Sequence, residues 1–138
     1  MFGYVLQDWL TMKGINATPI VQNEADWMGF SSFSDIVFWL DVRETTTAGT
    51  ITLSLETAPA QDDVLFQTLT GASQAYATGV SQVNIKPVLL AANPAIPLST
   101  WVRWKLTNSA ASGWDITFRI LCSANRVYKR PSGLLAMR

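Results

Sequence analysis

The stretch DIVFWLDVRETTTAGTITLSLETAP, residues 35–59, decides the fold. Ile36, Phe38, Leu40 and Val42 fall on one face of a first strand, and Ile51, Leu53 and Leu55 on one face of a second. Thr50, Thr52, Ser54 and Glu56 point the other way. This is the period of two that a pleated strand imposes on its side chains. The connection 44–49 is rich in Thr and ends in Gly, which predicts a hairpin loop.

Working outward, two further runs alternate as strongly. In 98–108, Val102, Trp104 and Leu106 form one face, and Trp101, Arg103, Lys105 and Thr107 the other. In 114–123, Ile116, Phe118, Ile120 and Cys122 point inward, while Asp115, Thr117 and Arg119 point outward. Joined by Ser-Ala-Ala-Ser-Gly, the two runs predict a second hairpin, whose outward bases can pair with Asp41, Glu44 or Glu56. Such exposed pairs contribute well under ~1 kcal/mol each. Weaker strands are expected at 18–22, 64–69 and 80–86, with loops at 23–34 and 71–79. Pro87, Pro94 and Pro97 argue for an edge strand or crossing loop over 88–96.

The ends read differently. Phe2, Val5, Leu6, Trp9 and Leu10 stand at helical spacing, followed by Lys13 and Gly14 as a stop. Residues 1–17 are therefore expected to form an N-terminal arm or short helix outside a domain at 18–123. Residues 124–138 form a basic C-terminal extension. The whole predicts an all-β protein, a β-sandwich or jelly roll of about seven or eight antiparallel strands with N- and C-terminal arms.

Composition narrows the function. The 138 residues are 49% hydrophobic and only 14% charged, so much of the surface is uncharged and suited to burial against partners. Net charge is zero but lopsided: residues 1–63 hold nine acids and two bases, residues 64–138 one acid and eight bases. A chain without histidine builds no His-based triad and no typical zinc site. The lone Cys122 lies in phase with the inward residues, as a structural thiol. Asp62-Asp63 and Asp41 with Glu44 lack the spaced oxygen ligands of a calcium loop, and the eight glycines are too scattered for a phosphate loop. No catalytic site, metal or cofactor is expected. No basic n-region marks a secretory signal, and no run approaches the ~20 apolar residues of a membrane span.

Three surface readings remain. Trp101, Arg103, Lys105 and Arg119 on one sheet face would suit single-stranded nucleic acid, but the neighbouring acids and zero net charge argue against it. Trp39, Trp101 and Trp114, placed on or near the outward face, suit either stacking on sugar rings or anchoring a subunit interface. With little charge around them, the interface is preferred. The candidate contact set is Phe2, Val5, Leu6, Trp9, Leu10, Trp39, Trp101, Trp114, Arg126, Lys129, Arg130, Leu134, Leu135 and Arg138.

The segments LDVRETTTAGTITLSLETAPAQDDVLFQTL and PLSTWVRWKLTNSAASGWDITFRI resemble accessory virion proteins of tailed bacteriophages, in particular the β-sandwich capsid decoration, or cement, proteins. The resemblance covers roughly 34–123. It implies a non-enzymatic protein of the virion, assembled in the host cytoplasm, that clamps neighbouring major capsid protein or other virion subunits, often as a trimer. It carries over no catalytic residue or cofactor. A tail- or fibre-associated carbohydrate-binding module is the alternative.

Overall fold

The alternation in 35–59 does form two strands, but they are not a hairpin. In the computed structural model, which describes residues 2–79, 83–89 and 95–126, β4 (Phe33–Thr46) and β5 (Ile51–Ala58) lie in different sheets. The chain arches from one sheet to the other at 47–50. Ser109 and Asn108 hold that arch: Thr47 Oγ1 donates to Asn108 Oδ1 at 2.9 Å, and the Thr50 N–H donates to Ser109 Oγ at 2.9 Å. Gly49 leaves no room for a side chain, since a Cβ there would sit 2.4 Å from Ser109 Oγ. The second expected hairpin is also an arch, with β8 (Trp101–Asn108) in one sheet and β9 (Trp114–Arg126) in the other. Alternation cannot separate the two cases, because both a hairpin and an arch turn one apolar face of each strand toward the same core.

The remaining strands are β1 (Phe2–Gly14), β2 (Ile20–Val21), β3 (Met28–Gly29), β6 (Gln67–Tyr76) and β7 (Asn84–Leu89). One sheet has the order β1-β9-β4-β7; the other has β2-β8-β5-β6, with β3 also on β8. All pairs are antiparallel. The pairs β1–β9, β2–β8, β4–β7 and β5–β6 nest within one another, and rolling that ladder brings β9 onto β4 and β8 onto β5. This is the order of a jelly roll, as expected for an all-β sandwich of this length.

The inward phases match the sequence reading. Ile36, Phe38, Leu40, Val42, Ile51, Leu53, Leu55, Val102, Ile116, Phe118 and Ile120 are completely buried. Trp104 meets Phe118 edge to face across the sheets at 5.3 Å. Tyr4, Phe30 and Phe33 close one end of the core with mutual edge contacts at 5.5–6.1 Å. Trp114 closes part of the other. It was expected near the outward face, but it is 6% exposed, because it continues the inward phase of Ile116 and Phe118 one step toward the turn.

Several segments depart from expectation, among them 64–69, where Asp63–Leu65 forms a 3-10 turn and the strand starts only at Gln67. Residues 2–14 form an edge strand on β9, not a helix. Two bulges, between Val5 and Gln7 and between Gln7 and Leu10, each add a residue to β1. They spread its core-facing residues to Tyr4, Leu6, Leu10 and Met12, a spacing that imitates a helical turn. The bulges are used: Gln22, 1% exposed, donates through Nε2 to the Leu6 carbonyl at 2.9 Å, and Trp104 Nε1 donates to Gln7 Oε1 at 2.9 Å. Gln22 Oε1 also accepts the Trp104 N–H at 3.2 Å, so one amide ties the edges of both sheets.

The small, polar run 71–76, expected as a loop, belongs to β6. Gly71 at φ +77° takes up an irregularity that shifts the inward positions to Leu69, Ala72 and Tyr76. Finally, β9 continues past 123 to Arg126; the rest of the C-terminal extension lies outside the described residues. Pro87 sits in β7, at the sheet edge, where a missing N–H is tolerated.

Gly14 faces the Trp114 ring so closely that a Cβ would lie 2.4 Å from its Cε2. Gly14→Ala should therefore lower stability by about 1–3 kcal/mol through overpacking. A thermal melt should move down accordingly; an unchanged midpoint would show that the indole has space to retreat.

Candidate interface on the four-stranded sheet

Because Ile36, Phe38 and Leu40 face the core, Val37, Trp39 and Asp41 must face out, and the same parity puts Arg119, Leu121 and Ser123 of β9 outward. The register then aligns an apolar row straight across all four strands. Val5 is opposite Leu121, Leu121 opposite Trp39, and Trp39 opposite Ile85. Val5 is 52% and Ile85 58% exposed, while Leu121 and Trp39 are half-buried by their neighbours. One step along, Val37 stands between Ser123 and Pro87.

On the other side of the row the surface turns polar. Arg119 Nε donates to Asp41 Oδ2 at 2.7 Å. Trp9, pushed outward in the bulged part of β1, takes the Arg43 guanidinium at 4.4 Å and that of Arg119 at 4.8 Å from its ring. Thr11 and Thr117 share a hydroxyl contact at 2.8 Å beyond them. The face is thus an aromatic and aliphatic row bordered by a held cationic strip.

Of the contact set expected from sequence, this face gathers Val5, Trp9 and Trp39. Leu6 is buried in the core, and Leu10 packs partly buried against it. Trp114 is buried, its indole N–H donating to the Asn16 carbonyl at 2.9 Å. Trp101 belongs to the opposite sheet, packed on a second cluster of Trp27, Ala58 and Phe66. Phe2 opens β1 opposite Ala124, and Arg126 ends β9 exposed. Lys129, Arg130, Leu134, Leu135 and Arg138 lie outside the described residues. Leu121 and Ile85 were missed; the available signal was an apolar residue at an outward position of β9, directly after Thr117 and Arg119.

The cationic face considered for nucleic acid does not form. Trp101, Arg103 and Lys105 lie on the five-stranded sheet and Arg119 on the four-stranded one. The outward pairing of bases with acids does occur, but not as an exposed set. Arg103 Nε donates to Glu56 Oε2 at 2.8 Å, Lys105 Nζ lies 3.3 Å from Glu56 Oε1, and Arg103 also pairs with Asp63. Arg103 and Glu56 are 5% and 4% exposed, because the loops carrying Trp27 and Phe66 fold over them.

Chemistry finds little to work with. Among the described residues, no group of three or more His, Cys, Asp or Glu is placed to hold a metal, and no helix is long and apolar enough to cross a membrane. A cleft of about 270 Å³ between β1 and β2 is lined by Leu10, Met12, Ile20 and Trp104, with Gln7 and Asp26, and brings no acid–base pair together. Burial pushes the Tyr76 phenol up to about 12, against the hydrogen bond that Asn84 Nδ2 donates to it at 3.1 Å. Burial likewise pushes the Cys122 thiol up to about 12.

Comparison with solved structures agrees on the fold. A chain in the structure of infectious bursal disease virus, Gt strain, superposes with a TM-score of 0.51 at 13% identity, over 91% of this chain and 33% of that one. The Gx strain of the same virus gives 0.48 at 9% identity, over 94% and 32%. Its VP2 subviral particle gives 0.48 at 11% identity, over 91% and 32%. This chain spans about a third of the length of the chains it matches, and at such identity the likeness to the Gt-strain chain is one of fold. No protein-family model and no curated protein matches the sequence.

The raised thiol gives a direct check. Cys122 should resist a disulfide reagent at mildly alkaline pH in the native state and react fully on denaturation. The same burial stabilises the fold fully below the ordinary thiol value of 9.0; that contribution is lost as pH rises from there toward about 12. Rapid native labelling would place the thiol at the surface.

Proposed function

We propose that this chain is a non-enzymatic structural protein of a virion, a capsid decoration (cement) protein that lays the outer face of its four-stranded sheet on neighbouring capsid subunits. One observation carries the reading: the apolar row Val5-Leu121-Trp39-Ile85 runs across four strands on the side of the sheet that faces away from the core. A half-buried tryptophan ringed by aliphatics, with a polar border, has the anatomy of an interface centre and rim. The paired Arg119 and Asp41 fix the border and favour one docking register over sliding. Fold likeness to a chain of a virus structure supports the same setting. In this reading the partners are the major capsid protein and further copies of this chain, as a trimer, and the protein resides in the virion.

Trp39→Ala should fold like the parent, since the ring stands outside the core. It should lose about 2 kcal/mol of capsid binding, roughly a thirtyfold weaker association. Ile85→Ser should act in the same direction. Co-sedimentation with purified capsids of the virus that encodes the protein measures both. If both variants bind capsids like the parent while a glycan array shows a sugar bound through Trp39, the carbohydrate-binding alternative replaces this reading.

A further inference from the structure

Two loops close over the outer face of the five-stranded sheet, and each ends in an aromatic residue after a single 3-10 turn. Glu24–Asp26 leads into Trp27, and Asp63–Leu65 leads into Phe66. The two rings meet edge to face at 4.6 Å. Beneath them the Arg103 guanidinium lies 4.0 Å from the Phe66 ring and 5.2 Å from that of Trp27, paired with both Glu56 and Asp63. Asp62 Oδ1 accepts the Val64 N–H at 3.2 Å. The second loop is therefore pinned by a ring contact, an ion pair and a cap. Yet its tip leaves Val64 78% and Leu65 40% exposed. The backbone under this aliphatic knob is held on both sides, so a partner that covers it gains apolar burial while ordering little more than two side chains.

The surroundings say what would cover it. Asp62 is exposed and accepts the Val64 N–H, and Glu24 and Asp26 are exposed on the loop whose Trp27 meets Phe66, so a fitting segment combines apolar groups with cations. Residues 127–138 of this chain hold Leu134, Leu135 and Met137 with Lys129, Arg130 and Arg138, and no acid. The outer face of the four-stranded sheet suits that segment less well, because Arg43 and Arg119 stand there beside Trp9.

We infer that the C-terminal segment 127–138 of one copy docks on the Val64–Leu65 knob of a neighbouring copy. The inference rests on the self-association in the function proposed above and names its contact. A neighbour is favoured over the same chain by where the segment starts. Arg126 leaves β9 in the four-stranded sheet, opposite Phe33, whereas the knob stands outside the five-stranded sheet. Crossing two sheets about 10 Å apart and the loop layer beyond them would use most of the roughly 26 Å that eight residues span. The contact joins two different surfaces, tail to knob, and such heterologous contacts form a ring where the rotation between copies closes and an open filament where it does not.

Sedimentation velocity of the full chain across a wide concentration range tests this. Self-association should weaken as salt is raised and be competed by a synthetic peptide of residues 127–138. Val64→Ser with Leu65→Ser should weaken it at least about tenfold, and Lys129→Glu with Arg130→Glu should do the same, with an unchanged thermal melt checking that each variant folds. Association that ignores the peptide and both variants overturns the inference, as does a full chain that stays monomeric at every concentration. The Trp39→Ala variant separates the two ideas: it should self-associate normally while losing capsid binding. Normal capsid binding by the parent together with peptide-insensitive association would remove the tail–knob contact and leave the capsid reading standing.

Discussion

Everything in this molecule depends on two apolar rows meeting across the sandwich. β4 and β9 supply one and β5 and β8 the other, and every named core position on these strands is nearly free of solvent. The same four strands are joined in sequence by the two arches, 47–50 and 109–113. Each connection therefore crosses the core layer, and each row is built from strands distant in sequence. Closing such long loops costs entropy before any contact is gained. Folding should therefore be slow for a chain of this length, with the arches and the central rows forming together.

Away from the core, polar side chains finish what the apolar ones begin. Gln22 satisfies a carbonyl freed by the β1 bulge and a backbone N–H of β8 at once. Arg103 satisfies Glu56 under a lid of two aromatic rings. A buried pair of this kind contributes little beyond an apolar substitute, but removing one member costs about 3–5 kcal/mol, because the other is left uncompensated. Its benefit here is positional: the guanidinium fixes where two loops rest.

Strand phase was legible in the sequence wherever one face of a strand is buried and nothing interrupts the ladder, as in 36–42, 51–55 and 116–122. Pairing was not. Period two says which face goes in, and it is silent on whether the next strand continues the same sheet. Residues 2–14 misled for a related reason: two inserted residues turn a spacing of two into one resembling a helix. Of the candidate interface, Trp39 and Trp9 were readable as aromatics at outward or irregular positions. The row that Trp39 belongs to was not, since Val5, Leu121 and Ile85 come from three other strands and meet only through register. The Arg103 cluster hid for the opposite reason. Arg103 and Glu56 have the outward parity of a solvated face, and only the loops of Trp27 and Phe66 bury them, by contacts that period two does not register.

The kinked course of β1 has one more consequence. A long straight edge strand of thirteen residues would be a template on which a stranger's strand could be added, and sheets that grow this way end as aggregates. In β1 the regular series of free backbone groups is broken twice, and the carbonyl of Leu6 is already taken by Gln22. On the other sheet the corresponding border is cut into two-residue pieces, β2 and β3. Open-ended sheet extension along these two borders is thereby discouraged, and side-chain surfaces rather than free strand edges are what the sandwich presents there.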